Sequence, residues 1–589
     1  TGMVGSVYFF KKAGKKIIER KLLIAMSFVF LAITTLSIAL LNKQETASAN
    51  ITDANRFDDP LGANAPIGEA KGIIPGRVVW VHNPDATNEN CTNANLNDAY
   101  FLSKNTDQAA VDQMFSEAIK KLSGKETEKE AWEAIFKYFN NNHGKGDVGY
   151  KTDETIFIKV NAVTAYNGAT ANGGKQPASQ PIEYDTTPQT ILSMLRHLVN
   201  VQGVPQKNIY VGDPLADLWD HMYQYFHAEF PDINYVSKRN VANRYKLVKS
   251  TEVGIDYSDR GKVMTNLPNH VHSFFKEMMD ADYLINIPVM KGHRWGGITF
   301  CAKNHFGSNT SDGSWQLHKG LMDGNDDYDE EGRRYDYKLY RVMVDLMGNK
   351  YLGGKTLIYF MDALWSTSHE HQRPQKFQSS PFNNDWSSSI MVSLDPVAIE
   401  SVCLDMMQKE FSEEDLTTSP PRYTYVLWEG VDDHLHQAAS SEWWPEGIVY
   451  DPENDGTPIG SLGVHEHWNN VNDMKYSRNL GTGNGIDLVS IEQKAMVGLQ
   501  SLAGNNDFRI DVFPNPVTDI AKMKIENDFK GYVVINVFTS SGKKVKTVSF
   551  KKSSTIDEAT IDLSGFVKGN YIVRLQSGNQ LYSTQFSKR

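Results

Sequence analysis

The stretch from Tyr283 to Asn309 constrains the fold of this chain more than any other. Tyr283 to Val289 is an apolar run of strand character. Lys291, His293 and Arg294 follow it, then the Gly296-Gly297 pair, Ile298 to Ala302, and finally Lys303, Asn304 and His305. A strand that runs into a glycine-rich connection is typical of open α/β sheets, where ligand groups gather beyond the strand ends. Two lysines, two histidines, an arginine and an asparagine within fifteen positions exceed what a solubilising loop needs.

The rest of the chain up to about Phe411 repeats that rhythm. Strands are expected at Ile73 to His82, Thr155 to Val160, Asn208 to Val211, Leu357 to Leu364 and Ile390 to Leu394. Between them, Ala109 to Leu122 (capped by Asp107), Lys129 to Phe139, Pro188 to Val199 and Met222 to Phe230 carry helical spacing. Another helix begins at Pro396, with Asp395 as its cap. The pattern predicts an α/β fold: a Rossmann-like, mostly parallel sheet with helices on both faces. From Phe508 onward short alternating runs separated by Gly, Ser and Asn turns predict a small C-terminal β-sandwich.

The 589 residues divide accordingly. Residues 1–49 read as a signal peptide or membrane anchor: lysines and an arginine precede the uncharged run Leu22 to Leu41, and Ala47-Ser48-Ala49 forms a small-x-small cleavage pattern. Residues 50–71 are an extended mature start and 72–411 the α/β domain. A His- and Trp-rich ordered loop layer covers 412–490, a helix and linker 491–509, and the sandwich 510–589. The chain is read as exported, touching a membrane only through the first segment if that stays uncleaved. A formal net charge of −11 excludes a nucleic-acid binder that relies on bulk phosphate attraction. Cys91, Cys301 and Cys403 are too few for a disulfide framework or a thiolate cage.

Two groups of residues carry candidate chemistry. At the strand ends, Lys159, Lys291, Arg294 and Lys303 concentrate positive charge, and Asn161 and Asn304 add neutral donors, which together suit a small anionic ligand. His293, flanked by glycines, is the first choice for proton transfer, with Lys291 and Lys303 beside it as catalytic candidates. Asp213, Asp362 and Asp395 sit near strand ends, where a carboxylate holds a cation or neutralises a lysine. The second group is three His-x-His pairs, His369/His371, His434/His436 and His465/His467. On a strand both imidazoles of such a pair share a face, so His434, His436, His465 and His467 join Asp213 and Asp395 as candidate ligands for a divalent metal ion. Glu370, Asp432, Asp433 and Glu466 are adjacent carboxylates. The competing reading is a structural layer in which these histidines bond to backbone and stack on tryptophans. Asp323 to Glu331 alternates oxygen ligands but has Tyr328 where a calcium loop needs Gly.

Lys159-Val-Asn161, Gly212-Asp213-Pro214, the Lys291-Gly-His293 to Gly307 run and Asp395-Pro-Val-Ala-Ile-Glu400 resemble the family of domain of unknown function 362 over roughly residues 72 to 490. Some members of that family carry iron–sulfur clusters; three scattered cysteines give this chain none. Phe513-Pro-Asn-Pro516, Ser541-Gly-Lys543, Gly569 to Val573 and the Lys588-Arg589 end resemble the type A sorting domain of the type IX secretion system of Bacteroidota. That resemblance implies the secretion machinery as a partner and the cell surface or medium as destination. The resulting expectation is an exported enzyme, metal-assisted in one version, acting on a small anionic substrate. A non-catalytic surface ligand-binding or structural envelope protein is the alternative.

Overall fold

A computed structural model describes residues 59–589, except 166–181, 240, 251–253, 255, 265–272, 311–314, 323–333, 494–508, 527–528, 540–543 and 578–579. The apolar run at 22–41, the cleavage pattern and the acidic 323–331 loop lie outside the described residues. The chain forms two compact units that divide after Gln493.

In the first unit, eleven strands build one mixed sheet: β1 (Arg77–His82), β2 (Ile156–Val160), β3 (Ile209–Gly212), β4 (Asn234–Ser237), β5 (Tyr245–Lys246), β6 (Tyr283–Ile287), β7 (Val289–His293), β8 (Gly297–Thr299), β9 (Thr356–Thr367), β10 (Ser389–Ser393) and β11 (Asp487–Glu492). Their order is β11-β1-β10-β9-β6-β2-β3-β4-β5, with β7 on β9 and β8 on β7. From β9 to β5 all neighbours are parallel, while β10 runs antiparallel to both β9 and β1.

Alternation along the strands sends side chains into two cores. Val79, Val81, Ile156, Ile158 and Ile285 pack in one cluster with residues of α1 (Gln108–Ser123), α2 (Glu128–Asn142) and α3 (Pro188–Arg196). Val78, Trp80, Phe157 and Leu284 join the other cluster with residues of α4 (Cys301–Asn304), α5 (Val342–Gly348), α6 (Pro396–Glu410) and α7 (Asp433–Ala439). Helices therefore cover both faces. The helix ends follow local chemistry: Asp107 accepts from Ala110 N at 2.8 Å, Thr127 and Glu130 form a capping box, and Gly124 closes α1 at φ 69°.

Several elements differ from expectation. The run Tyr283 to Val289 is two strands, because Pro288 has no N–H to continue the ladder and β7 moves onto the far half of β9. Lys291 and His293 thus lie within β7 rather than in a loop beyond it. Helix α3 stops at Arg196 and continues as a wider turn, His197–Gln202, that ends at Gly203. Ile491, expected in a helix, belongs to β11. The layer at 412–490 holds the short helix α7 as well as loops.

The second unit is antiparallel throughout its sheets. Strands β12 (Arg509–Phe513), β13 (Ile520–Glu526) and β16 (Ile556–Asp562) form one sheet, in the order β12-β13-β16. Strands β14 (Gly531–Thr539), β15 (Lys544–Lys552), β17 (Gly569–Ser577) and β18 (Gln580–Lys588) form the other, in the order β15-β14-β17-β18. Met523, Ile525 and Ile561 from the first sheet share one buried cluster with Val533, Val537, Val573 and Phe586 from the second. Two small sheets enclosing one apolar layer is the arrangement the alternating runs implied.

Candidate functional site

The parallel register decides what meets at the strand ends. Lys159 on β2 stands opposite Gly212 on β3 and Asn286 on β6. Its ammonium lies 3.2 Å from Asp213 and donates to Asn304 Oδ1 at 3.1 Å and to the Val160 carbonyl at 2.6 Å. Asn304 in turn donates to Asn286 Oδ1 at 2.8 Å. Gly307 packs directly on Asp213 and Lys159, where a Cβ would collide with both. Lys159 is fully buried, and burial lowers its pKa against the pull of Asp213.

Lys291, on β7, donates to the Tyr184 carbonyl at 2.6 Å. Burial lowers its pKa too, opposed by Asp185. Asp185, also fully buried, is pushed up to about 7 by desolvation while Lys291 pulls it down. Lys303, at the end of α4, is 8% exposed. Its ammonium stands 4.0 Å above the Phe306 ring and 3.5 Å from His318 Nε2. Among the described residues no carboxylate lies within ion-pair distance of it. Burial, opposed by Glu370 and aided by Lys291 and Lys159, brings its pKa down to about 7. Lysine at such a site is divided between amine and ammonium at neutral pH.

His293 Nδ1 accepts from the backbone N–H of Trp295 at 3.1 Å and of Gly296 at 3.2 Å, which leaves the proton on Nε2. Burial, with Lys303 next, holds its pKa well below the ordinary imidazole value, so the ring is neutral. It stacks on His318, ring centres 5.7 Å apart. Arg294 is half-exposed, paired with Glu370 at 3.0 Å and lying over Trp295. Buried polar atoms without a hydrogen-bond partner collect here: Asn161 Oδ1, Thr299 Oγ1, His305 Nδ1 and Ser308 Oγ. Native interiors rarely leave such atoms unpaired unless a water, ligand or ion reaches them. A surface cavity of 310 Å³ lined by Arg373, Gln375, Lys376, Trp386 and Arg422 includes none of these residues.

The three His-x-His pairs have three different fates. His434 and His436 lie on α7, not on a strand, and residues two apart on a helix point in opposite directions. His434 Nε2 therefore meets Glu400 at 2.9 Å, while His436 turns to the other side. His465 and His467 sit on an extended segment and converge, ring centres 5.0 Å apart. His369 and His371 stay in a loop, His371 3.1 Å from Glu183.

His436 and His465 meet Asp59 and Asp432, and one ligand atom from each of the four lies within 4.8 Å of the others. That set can hold a divalent metal. His467 adjoins it, hydrogen-bonded through Nε2 to Asp59 and 3.3 Å from Asp432, with Nδ1 2.6 Å from Asp405. Burial works against a charged His467, but Asp405, Asp432 and Asp59 overcome it and raise its pKa well above the ordinary value. Asp395 is engaged elsewhere. Its two oxygens accept the backbone N–H of Val397, Ala398, Lys71 and Val464, so its carboxylate is spent on capping α6 and fastening two loops. Asp213 likewise takes Lys159 and the amides of Ala162 and Leu215. Asp433 is buried against Arg341 at 2.8 Å, and Glu466 braces Ser477 and Ile486.

Sequence reasoning missed Asp59, Asp185, Asn286, His318 and Asp405. Asp185 follows Tyr184 just before the Pro188 helix start, a position analogous to a strand end. Asp405 carries no local signal, since it lies inside a helix whose every face is buried apart from its last turn.

Fold and sites define an exported-type two-unit chain: an α/β domain with buried polar centres, followed by an antiparallel β unit. Residues 171–405 match the model of a domain of unknown function (DUF362), and residues 511–589 match that of a secretion system C-terminal sorting domain. The chain thus carries a DUF362 domain and a sorting domain, and the latter assigns it to export to the cell surface or extracellular space through the secretion machinery. Asp185, Lys291, His293 and Lys303 fall within the first match; Asp59, Lys159, Asp432, His436, His465 and His467 fall outside it. No curated protein matches the chain. Among solved structures, latent PorU from Porphyromonas gingivalis is 20% identical over 15% of this chain and 10% of its own, with a TM-score of 0.13. This chain therefore spans about a tenth of PorU's length. CopC from Methylosinus trichosporium OB3b is 15% identical over 14% of this chain and 91% of its own, with a TM-score of 0.12.

Proposed function

We propose that this is an exported enzyme that binds a small anionic substrate at the strand ends of its α/β domain. Lys303 would meet the anion. One observation carries the reading: among the described residues Lys303 is a buried lysine with no carboxylate within ion-pair distance, Glu370 acting on it only from farther off, while neighbouring Lys159 is paired directly with Asp213. An ammonium sealed from water without a counter-charge is costly, and a bound anion supplies one. Lys291 adds field rather than contact, because its ammonium already donates to Tyr184. Asn161 Oδ1 and Thr299 Oγ1 are the buried groups available to orient a ligand, and His293 enters as a neutral donor from Nε2. The parallel run β9-β6-β2-β3-β4 supports a Rossmann-like reading of the half-sheet that holds this site. The metal-assisted part of the reading rests on His436, His465 and His467; Asp213, Asp395 and His434 have other partners.

The test is calorimetric titration of the purified chain with inorganic phosphate and with a small dicarboxylate, from pH 6 to 9. Binding should weaken as pH rises through about 7, where Lys303 loses its proton, and should vanish in Lys303→Met. Equal binding by Lys303→Met would sink the proposal. Turnover of phosphate or carboxylate esters that His293→Gln abolishes while binding persists separates catalysis from simple capture.

A further inference from the structure

The Asp/His centre joins two parts of the chain far apart in sequence, and Asp59 belongs to a strap whose residues 59–71 lie against the main domain. The strap is held by ordinary means along most of its length. Asn64 N donates to the His467 carbonyl at 3.0 Å, Ile67 and Gly68 pair antiparallel with His465 and Val464, and Lys71 N donates to Asp395 at 2.8 Å. Gly68, at φ 83°, lies against the Gly463 and Ala439 carbonyls where no side chain fits. Ile67 and Ala70 pack on the apolar core, while Asp59 reaches inward to the histidines. Its carboxylate is 4% exposed and lies 3.1 Å from His436 Nε2.

The imidazoles are set up as ligands by what holds their other nitrogens. His436 Nδ1 is 3.2 Å from the Asp432 carbonyl, an acceptor, so Nδ1 carries the proton and Nε2 the lone pair. His465 Nδ1 is 2.8 Å from Ser401 Oγ, whose own proton goes to the Val397 carbonyl at 2.7 Å. Ser401 therefore accepts from His465, and that Nε2 also presents a lone pair. His467 Nδ1 donates to Asp405, which is fixed by Trp468 N at 3.0 Å and the Tyr476 hydroxyl at 2.8 Å. Metal-binding histidines have their second nitrogen anchored in this manner. His436 Nε2 and His465 Nε2 are fully buried and make no hydrogen bond, and both face the Asp59 and Asp432 carboxylates.

We propose that a divalent first-row transition metal binds at Asp59, Asp432, His436 and His465, beside His467, and latches the N-terminal strap onto the α/β domain. Imidazole with carboxylate and no thiolate suits zinc, iron or manganese rather than calcium or magnesium. With Asp432, His436 and His465 fully buried, such a site suits a structural metal. The inference shares its histidines with the metal-assisted part of the functional reading but gives the metal a structural role, and it does not rest on the anion site.

The experiment uses the exported full-length chain, incubated with Zn²⁺, Mn²⁺ or Fe²⁺ and desalted. Elemental analysis should return about one metal per chain. Stripping it with a chelator should raise amide hydrogen exchange in residues 59–68 at least tenfold while β2, β6 and β9 keep their protection. Ser401→Ala, which removes only the anchor of His465, should weaken the metal 10–100-fold with the fold intact. Asp59→Asn should release the strap while leaving residual metal. A chain that takes up none of the three metals, or one whose uptake survives His436→Ala with His465→Ala, overturns both the metal and the latch. A chain that binds metal but shows the same strap exchange with and without it overturns the latch alone.

Discussion

The two buried centres of the α/β domain are opposites. At the strand ends three ammonium groups gather: Lys159, Lys291 and Lys303 are buried together, and among the described residues Lys303 has no carboxylate within ion-pair distance. On the far side of α6 the surplus is of lone pairs and negative charge, with Asp59 and Asp432 facing unbonded imidazole nitrogens. Each centre is incomplete in the sense of the other. What they teach is that burial alone does not mark a site. The informative groups are those that the surrounding side chains leave without a direct partner: among the described residues the Lys303 ammonium has no carboxylate within ion-pair distance, and the Nε2 atoms of His436 and His465 make no hydrogen bond.

The contrast is sharpest where a lysine is already satisfied. Asp213→Ala strips Lys159 of its counter-charge in a sealed position and should cost about 3–5 kcal/mol in chemical denaturation. A loss under about 1 kcal/mol would mean the pair is not buried as described. Next in size, Gly307→Ala forces a methyl onto Asp213 and Lys159 and should cost about 1–3 kcal/mol, with part of the loss recovered when Asp213 is shortened as well. Lys303→Met should by contrast leave stability at pH 7 within about 1 kcal/mol of the parent, or raise it, because it deletes an uncompensated charge.

The same variant tests a pH dependence. The folded-state pKa of Lys303 is depressed from 10.5 to about 7, so between those values the unfolded chain holds a proton that the folded chain has released. Stability should then rise with pH across that window and level off below about 7, and Lys159 and Lys291, shifted in the same direction, add to the slope. Denaturation at pH 7 and 9 should show a smaller rise for Lys303→Met than for the parent. The smallest effect belongs to His434→Gln. Because that ring faces Glu400, metal uptake should be unchanged, whereas His436→Gln should reduce it; equal losses would place both histidines at one centre.

Much of the scaffold was legible because its signals are local. Asp107 and Asp395 cap the helices they precede, and the apolar alternation of Ile156 to Val160 and Tyr283 to Ile287 gives strands whose residues divide between two cores. The meeting of Lys159 with Asp213 could be read from strand ends because parallel register brings ends together, whereas Lys291 and His293 lie within β7. The antiparallel β10 could not, since an inserted strand reverses direction without altering its own composition. Nor could the fate of the His-x-His pairs: the same tripeptide pattern gives one face on an extended segment and two on α7. Asp59 was read as part of an extended start because its role depends on a partner more than 370 residues away, and no spacing rule reaches that far.

Helix α6 touches both centres. Glu400 accepts the Ala302 amide at 2.6 Å, next to Lys303, and receives His434 on its other oxygen; Ser401 anchors His465 and Asp405 anchors His467. A rod with neighbours on every side cannot be adjusted for one task alone. Substitutions along it should show epistasis between the two centres, so variation in this protein would be expected to arise as paired changes across that helix rather than as independent tuning of either end.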